Sequence, residues 1–158
     1  MVLVAIDGRE IVGTVSMTLD GPAGLHVDHD FHVTCDAVRA EGQPVAAVWR
    51  IVTEPGHRAT QALVIELIRS TIGVLERCGV VTSLCAFTPR HERAYAKLLG
   101  FQTIDRCSGI KEVSTPIVLM RQSVADAARR LPPHDNAAID TLVAERMRLL
   151  AVVRRVAA

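Results

Sequence analysis

Aromatic side chains are scarce: one Trp, one Tyr and three Phe make up 3% of 158 residues. Any role that needs an indole or a phenol therefore falls to Trp49 or Tyr95. An excess of charge of either sign is also lacking. Lys and Arg number 18 against 17 Asp and Glu, a formal net charge of +1, which gives no electrostatic reason to expect a nucleic-acid partner. No apolar run reaches the ~20 residues of a membrane span. The opening MVLVAIDGRE lacks the basic start and long apolar segment of a signal peptide. The four cysteines, Cys35, Cys78, Cys85 and Cys107, lie far apart and form no CxxC pair, which reads as buried, reduced thiols in a cytoplasmic protein. There is no internal repeat and no low-complexity tract.

What is present is a globular composition, 49% hydrophobic and 22% charged, in a chain long enough for one domain with a real core. Val2–Ile6 and Ile11–Leu19 are β-rich runs around Asp7-Gly8, a hairpin signal. Gly13 inside the second run marks a bulge or a close backbone approach. Leu25 to Gly42 is polar and His-rich, a loop and then a short helix. Val45–Thr53 is a strand, and the stripe Val64, Leu67, Ile68, Thr71, Ile72 and Leu75 is the buried face of a surface helix ending at Cys78-Gly79. Val80–Phe87 is an unbroken apolar run, expected to be buried and parallel to a neighbour. Thr88 and Pro89 open another helix as N-cap and first helical residue, and Gly100 closes it. Phe101–Asp105 and Val113–Arg121 read as strands, with Pro116 implying an edge or a bulge. Ser123–Leu131 reads as a short helix, Pro132-Pro133 as a break, and Asn136–Val156 as a long amphipathic helix. The order β β (α) β α β α β β α α makes an α/β (α+β) domain with a mixed sheet flanked by helices.

The chain is organised around Ala47–Gln61, AVWRIVTEPGHRATQ, where an apolar strand breaks at Glu54-Pro55-Gly56 and restarts as a helix. Such a junction aims backbone N–H groups at whatever lies before the helix, which suits an anion or a carbonyl.

With WRIVTEPGHR, PRHERAYAKLLGF, IVGTVSMTLDGPAGLHVDHDF and STPIVLM in place, residues 2 to 122 resemble the GNAT fold. Within it they are most similar to the N-acyl amino acid synthases and their relatives, the acyl-homoserine-lactone synthases. The resemblance implies a twisted GNAT-like sheet over residues 1–122, without the usual leading segment, and a C-terminal helical extension over 123–158. It implies that Val45–Thr53 and Val80–Phe87 splay apart to take the pantetheine arm of an acyl thioester. Backbone N–H groups near Val52 and Thr53 would meet the thioester carbonyl. The donor phosphate would lie at the helix start, near Arg58, Thr60 and Gln61. Tyr95 would protonate the leaving thiolate. Trp49 and Arg50, on adjacent and opposite-facing positions of one strand, become acceptor-binding candidates, Arg50 for a carboxylate. As structural residues the same side chains read as an ion-paired Arg50 and a Tyr95 packed between helix and sheet.

The departures from the family pattern bear on mechanism. Arg58-Ala59-Thr60-Gln61-Ala62 has none of the glycines that wrap a CoA pyrophosphate. That favours a carrier-protein donor over an ordinary small acyl-CoA. Arg58, Arg90, Arg93 and Lys97 would then face an acidic acyl carrier protein, or else form a solvated helix face. Ala47 stands where the family has a glutamate, leaving Glu54, His57 or His91 as replacements acting through water. His26, His29 and His32 at i, i+3, i+6 fit neither a helical i, i+4 pair nor a zinc pattern, so no metal site is expected.

The resulting expectation is an N-acyltransferase moving an acyl group, long-chain by resemblance, from acyl-ACP or acyl-CoA to an amino acid or similar small amine. No cofactor is held tightly. The alternative from another class is a catalytically impaired module that binds acyl-pantetheine or a partner. The last helix would cover the domain or a second copy, as in a homodimer.

Overall fold

The structure is a computed structural model and describes residues 1–56, 60–108 and 115–133. Six strands, β1 (Val2–Asp7), β2 (Glu10–Leu19), β3 (Val45–Thr53), β4 (Thr82–Phe87), β5 (Gln102–Cys107) and β6 (Ile117–Ser123), form one sheet in the order β1-β2-β3-β4-β6-β5. Four helices flank it: α1 (Asp28–Arg39), α2 (Thr60–Arg77), α3 (Pro89–Leu99) and α4 (Val124–Arg130). Only β3 and β4 are parallel; every other pair is antiparallel. The expected mixed sheet is present. The helix anticipated over Asn136–Val156 lies outside the described residues.

The punctuation residues act as their chemistry dictates. Gly79 and Gly100 end α2 and α3 at φ 69° and 79°, a region that costs side chains with a Cβ. Ser123 accepts from the Asp126 N–H and caps α4. Gly13 is a close approach: an added Cβ would meet Leu67 Cδ1 at 3.1 Å. It lets α2 lie close against β2.

Two layers cover the sheet. On one face α2, α3 and α4 bury Val15, Met17, Val74, Val118 and Met120. On the other, α1 and the segment before it bury Leu25, Val27, Phe31, Cys35 and Val38 against Ala47, Leu84 and Leu119. α4 packs into the first of these cores through Val124 and Ala127.

Two sequence expectations need correction. Pro116 marks neither an edge nor a bulge. It stands one residue ahead of β6, which is an interior strand, so its missing N–H removes no ladder bond. The strand expected from Val80 begins at Thr82, because the Val81 and Thr82 N–H groups both donate to the Pro44 carbonyl before pairing starts.

A charged cluster fastens α1 and the segment before it. Arg39 donates to Asp20 through two nitrogens at 2.9 Å and to Asp28 at 2.5 Å, and Asp28 also accepts from the Leu25 N–H at 2.6 Å. Burial pushes the Asp28 carboxyl up. The hydrogen bonds from Arg39, Leu25 and Cys35 outweigh it and hold the group below its usual range. A depressed folded value stabilises above the unfolded value and is lost as pH falls through the folded one. Arg39→Ala should cost about 1–3 kcal/mol at pH 7. The deficit should narrow below about pH 4. Urea midpoints at pH 7 and 3.5 measure both, and a pH-independent deficit would refute the ionic part.

Candidate active site

β3 and β4 are in register for three pairs only, Val45↔Thr82, Ala46↔Ser83 and Ala47↔Leu84. Beyond Ala47 they part. The cause lies in β3. Opposite β2 the register slips between Thr14 and Ser16, and Arg50 takes φ 53°, a left-handed conformation rare for arginine. One extra residue on β3 bends the strand away from β4 and costs roughly 1–2 kcal/mol of local strain. Cys85 bridges the start of the gap, its thiol donating to the Val48 carbonyl at 2.8 Å. Complete burial pushes that thiol up to about 12, so it remains a neutral donor.

Behind the gap lies an apolar chamber with a cavity volume of about 30 Å³, partly open to solvent. β3 supplies Val48 and Ile51, which share a side because the bulge intervenes. α2 supplies Ile68, Thr71, Ile72 and Leu75, and β4 supplies Ser83, Cys85 and Phe87. Tyr95 and Leu99 of α3, with Phe101 and Gln122, complete the wall. Two of its polar side chains turn to backbone: Thr71 Oγ1 donates to the Leu67 carbonyl at 2.8 Å and Gln122 Nε2 to that of Leu99 at 2.7 Å. The lining is thus apolar in effect, as an aliphatic chain requires.

Tyr95 sits at this chamber. Its ring stacks on Phe87 at 4.2 Å and meets Phe101 edge-on at 6.2 Å. Burial, and secondarily Cys85, raises the phenol above its ordinary value, so it is protonated at neutral pH. His91 lies edge-on to Tyr95 at 6.2 Å, with Nδ1 3.2 Å from Thr88 Oγ1. Thr88 occupies the N-cap position of α3, but its hydroxyl engages His91 rather than a backbone N–H.

The other expected site residues distribute unevenly. Val52 and Thr53 follow the bulge, on the stretch of β3 with no partner in β4. Thr60 and Gln61 form the first turn of α2, which carries no acidic residue; Arg58 and His57 lie outside the described residues. Glu54 is exposed and lines a separate groove with Glu10, Ile11, Val12, Pro55 and Gly56, so it is not brought to the chamber. Arg90, Arg93 and Lys97 are exposed on α3 at i, i+3 and i+7, one face of that helix.

Trp49 and Arg50 do not face opposite ways. The left-handed turn at Arg50 breaks strand alternation and lays its guanidinium carbon 5.3 Å from the centre of the Trp49 ring. The ion pair considered for Arg50 is absent: among the described residues it has no carboxylate partner. Trp49 donates through Nε1 to Thr18 Oγ1 at 3.2 Å and carries the His26 ring stacked on it at 4.2 Å. Sequence reasoning missed His26, Cys85 and the bulge, since no glycine announces a left-handed residue at position 50. His29 pairs with Asp30, apart from His26, and among the described residues no three His, Cys, Asp or Glu side chains converge on a metal position.

Comparison with known proteins bears on this geometry. A family model described as N-acyl amino acid synthase FeeM matches residues 1–123. The solved structure of FeeM, an N-acyl amino acid synthase from uncultured soil microbes, superposes with a TM-score of 0.74 at 21% identity, over 83% of this chain and 72% of that one. An agmatine N-acetyltransferase follows at 0.60 and 15% identity, covering 77% and 73%. A mosquito arylalkylamine N-acetyltransferase-like protein gives 0.59 and 15%, covering 77% and 74%. At such identities these structures establish a shared acyltransferase fold and no more. No curated protein sequence matches the chain.

Proposed function

The chain belongs to the N-acyl amino acid synthase FeeM family and is an N-acyltransferase, and from that premise we propose that it moves a long-chain acyl group from a carrier-protein thioester to the amine of an amino acid. The observation that carries this reading is the apolar chamber behind the parted strands, with the Tyr95 phenol in its wall. Its lining is apolar, which suits an aliphatic acyl group.

In this reading the thioester lies across the gap between β3 and β4. N–H groups of β3 near Val52 and Thr53 receive the oxyanion, and the donor phosphate rests before α2, beside Arg58, Thr60 and Gln61. The amine attacks the thioester carbon, the C–N bond forms, the C–S bond breaks, and Tyr95 gives its proton to the thiolate. The basic face Arg90, Arg93 and Lys97 receives an acidic carrier protein. Arg50, exposed and without a carboxylate partner among the described residues, takes the acceptor's carboxylate beside Trp49.

The direct test supplies purified protein with acyl-carrier-protein and acyl-CoA donors and a panel of amino acids, and follows thiol release. Faster turnover with the carrier donor is expected. Folded protein that stays silent across all donors and amines would end the proposal. Two further outcomes separate its parts. Arg50→Gly should leave stability within about 1 kcal/mol, because glycine tolerates φ 53°. It should raise KM for the amino acid at least ~10-fold through the lost charge-assisted hydrogen bonds. An unchanged KM would return Arg50 to a structural role. Ile72→Trp, filling the chamber, should lower kcat/KM for long acyl donors by about 10–200-fold and leave short ones within a few-fold. Equal losses for both lengths would place the acyl tail elsewhere.

A further inference from the structure

The amine must reach the thioester uncharged, and Ala47 removes the carboxylate the family pattern would supply. On the face of the sheet opposite the chamber, the segment Leu25–Val27 crosses β3 where β3 and β4 part. Leu25 and Val27 are buried in the same apolar cluster as Ala47 and Leu84, the last pair in register. His26, between them, is exposed and lies flat on Trp49, with ring centroids 4.2 Å apart and planes 20° from parallel. The same indole carries Arg50 at 5.3 Å and is fixed by its bond to Thr18. Stacking occupies a face of the imidazole and leaves its nitrogens at the rim; among the described residues His26 makes no hydrogen bond or ion pair.

We infer that His26 is the general base of this enzyme, carried by the segment before α1 to the acceptor side of the strand gap in place of a strand glutamate. The inference rests on the N-acyltransferase reading. Two other candidates are less well placed: Glu54 lines a separate groove, and His91 is tied to Thr88 on the chamber side. Arg50 beside the same indole sets the carboxylate of an α-amino acid next to His26, so that its ammonium comes within reach of the imidazole. The ammonium yields one proton to reach the attacking amine form. His26 takes that proton and passes it to water; as the C–N bond forms, the adduct loses its second N–H proton directly to water, as an adduct of any amine does. Breakage of the C–S bond sends the thiolate to the Tyr95 proton. Tyr95 regains a proton from water, so the products are amide, thiol and one net proton, which balances the ammonium consumed.

The test compares wild type and His26→Ala with two nucleophiles, an amino acid and hydroxylamine, the latter already unprotonated at neutral pH. With the amino acid, kcat should fall by about 10²–10⁴-fold while KM changes little. With hydroxylamine the two proteins should agree within about 3-fold, and free imidazole should restore part of the amino-acid rate. Equal losses with both nucleophiles would make His26 only a support for Trp49 and overturn the assignment. A variant rate within about 3-fold of wild type for the amino acid would also overturn it. Wild type inactive toward every amine would overturn the base together with the reading beneath it, whereas an active wild type insensitive to the substitution sinks the base alone.

Discussion

Tyr95→Phe is expected to lower kcat by about 10²–10⁴-fold, the ordinary contribution of a positioned general acid. A cysteine thiol has a pKa near 8.5 and a tyrosine phenol near 10, so between those two groups in water the proton transfer would run uphill. The chamber alters that comparison. Cys85, a thiol in the same wall, is pushed up to about 12 by burial. A pantetheine thiolate released beside Tyr95 would be made more basic by the same desolvation, which favours its protonation. Tyr95 is itself raised, so its acid form persists through neutral pH and the alkaline limb of the rate lies above the ordinary tyrosine value. The substitution should leave the fold intact. The phenol oxygen has no hydrogen-bond partner among the described residues, and a phenylalanine ring retains the stack on Phe87. Thermal unfolding of the variant should therefore overlay that of wild type while turnover collapses. A kcat within about 3-fold of wild type would remove Tyr95 from the chemistry and leave it as a packing residue.

How much of this was legible in the sequence follows from the range of each interaction. Asp7-Gly8, Gly79, Thr88-Pro89 and Gly100 act within one turn of backbone, and the elements they bound appear where those residues place them. The strand from Val45 to Thr53 was readable to the residue, yet its decisive feature was not. The left-handed Arg50 arises from mismatched register between β2 and β3, set by residues more than thirty positions away. The bulge brings Arg50 over Trp49 and puts Val48 and Ile51 on one side, both against simple strand alternation. His26 sat in a run of histidines whose spacing fits no metal. Its meeting with Trp49 depends on α1 and its preceding segment docking across the sheet through Arg39, Asp20 and Asp28. Local grammar gave the elements and the family resemblance; long-range register made the site.

Restoring the family glutamate by Ala47→Glu should destabilise the protein by about 3–5 kcal/mol rather than improve it. Ala47 is 0% exposed and lies among Leu25, Val27, Phe31, Leu84 and Leu119, in a cluster whose buried thiol, Cys35, is already engaged by Asp28. A carboxylate there must either stay ionised without a partner or take up a proton, and the added atoms must displace packed aliphatic groups. Such a loss is a large part of the 5–15 kcal/mol typical of a whole domain. At 1–3 kcal/mol per molar, the urea midpoint should fall by at least ~1 M. The pH dependence follows from a raised folded value. Below the unfolded carboxyl value of about 4.3 both states are protonated and the charge penalty vanishes. As pH climbs the unfolded state ionises first, so the deficit relative to wild type is greatest near neutrality. Urea titrations of both proteins at pH 7 and pH 4 read this difference directly. A variant as stable as wild type at pH 7, or faster in acyl transfer, would mean that the Leu25–Val27 segment does not close over Ala47, and His26 would lose its route to the strand gap. A severe deficit that shrinks in acid ties the absent glutamate and the stacked histidine to one structural cause, the segment that buries position 47.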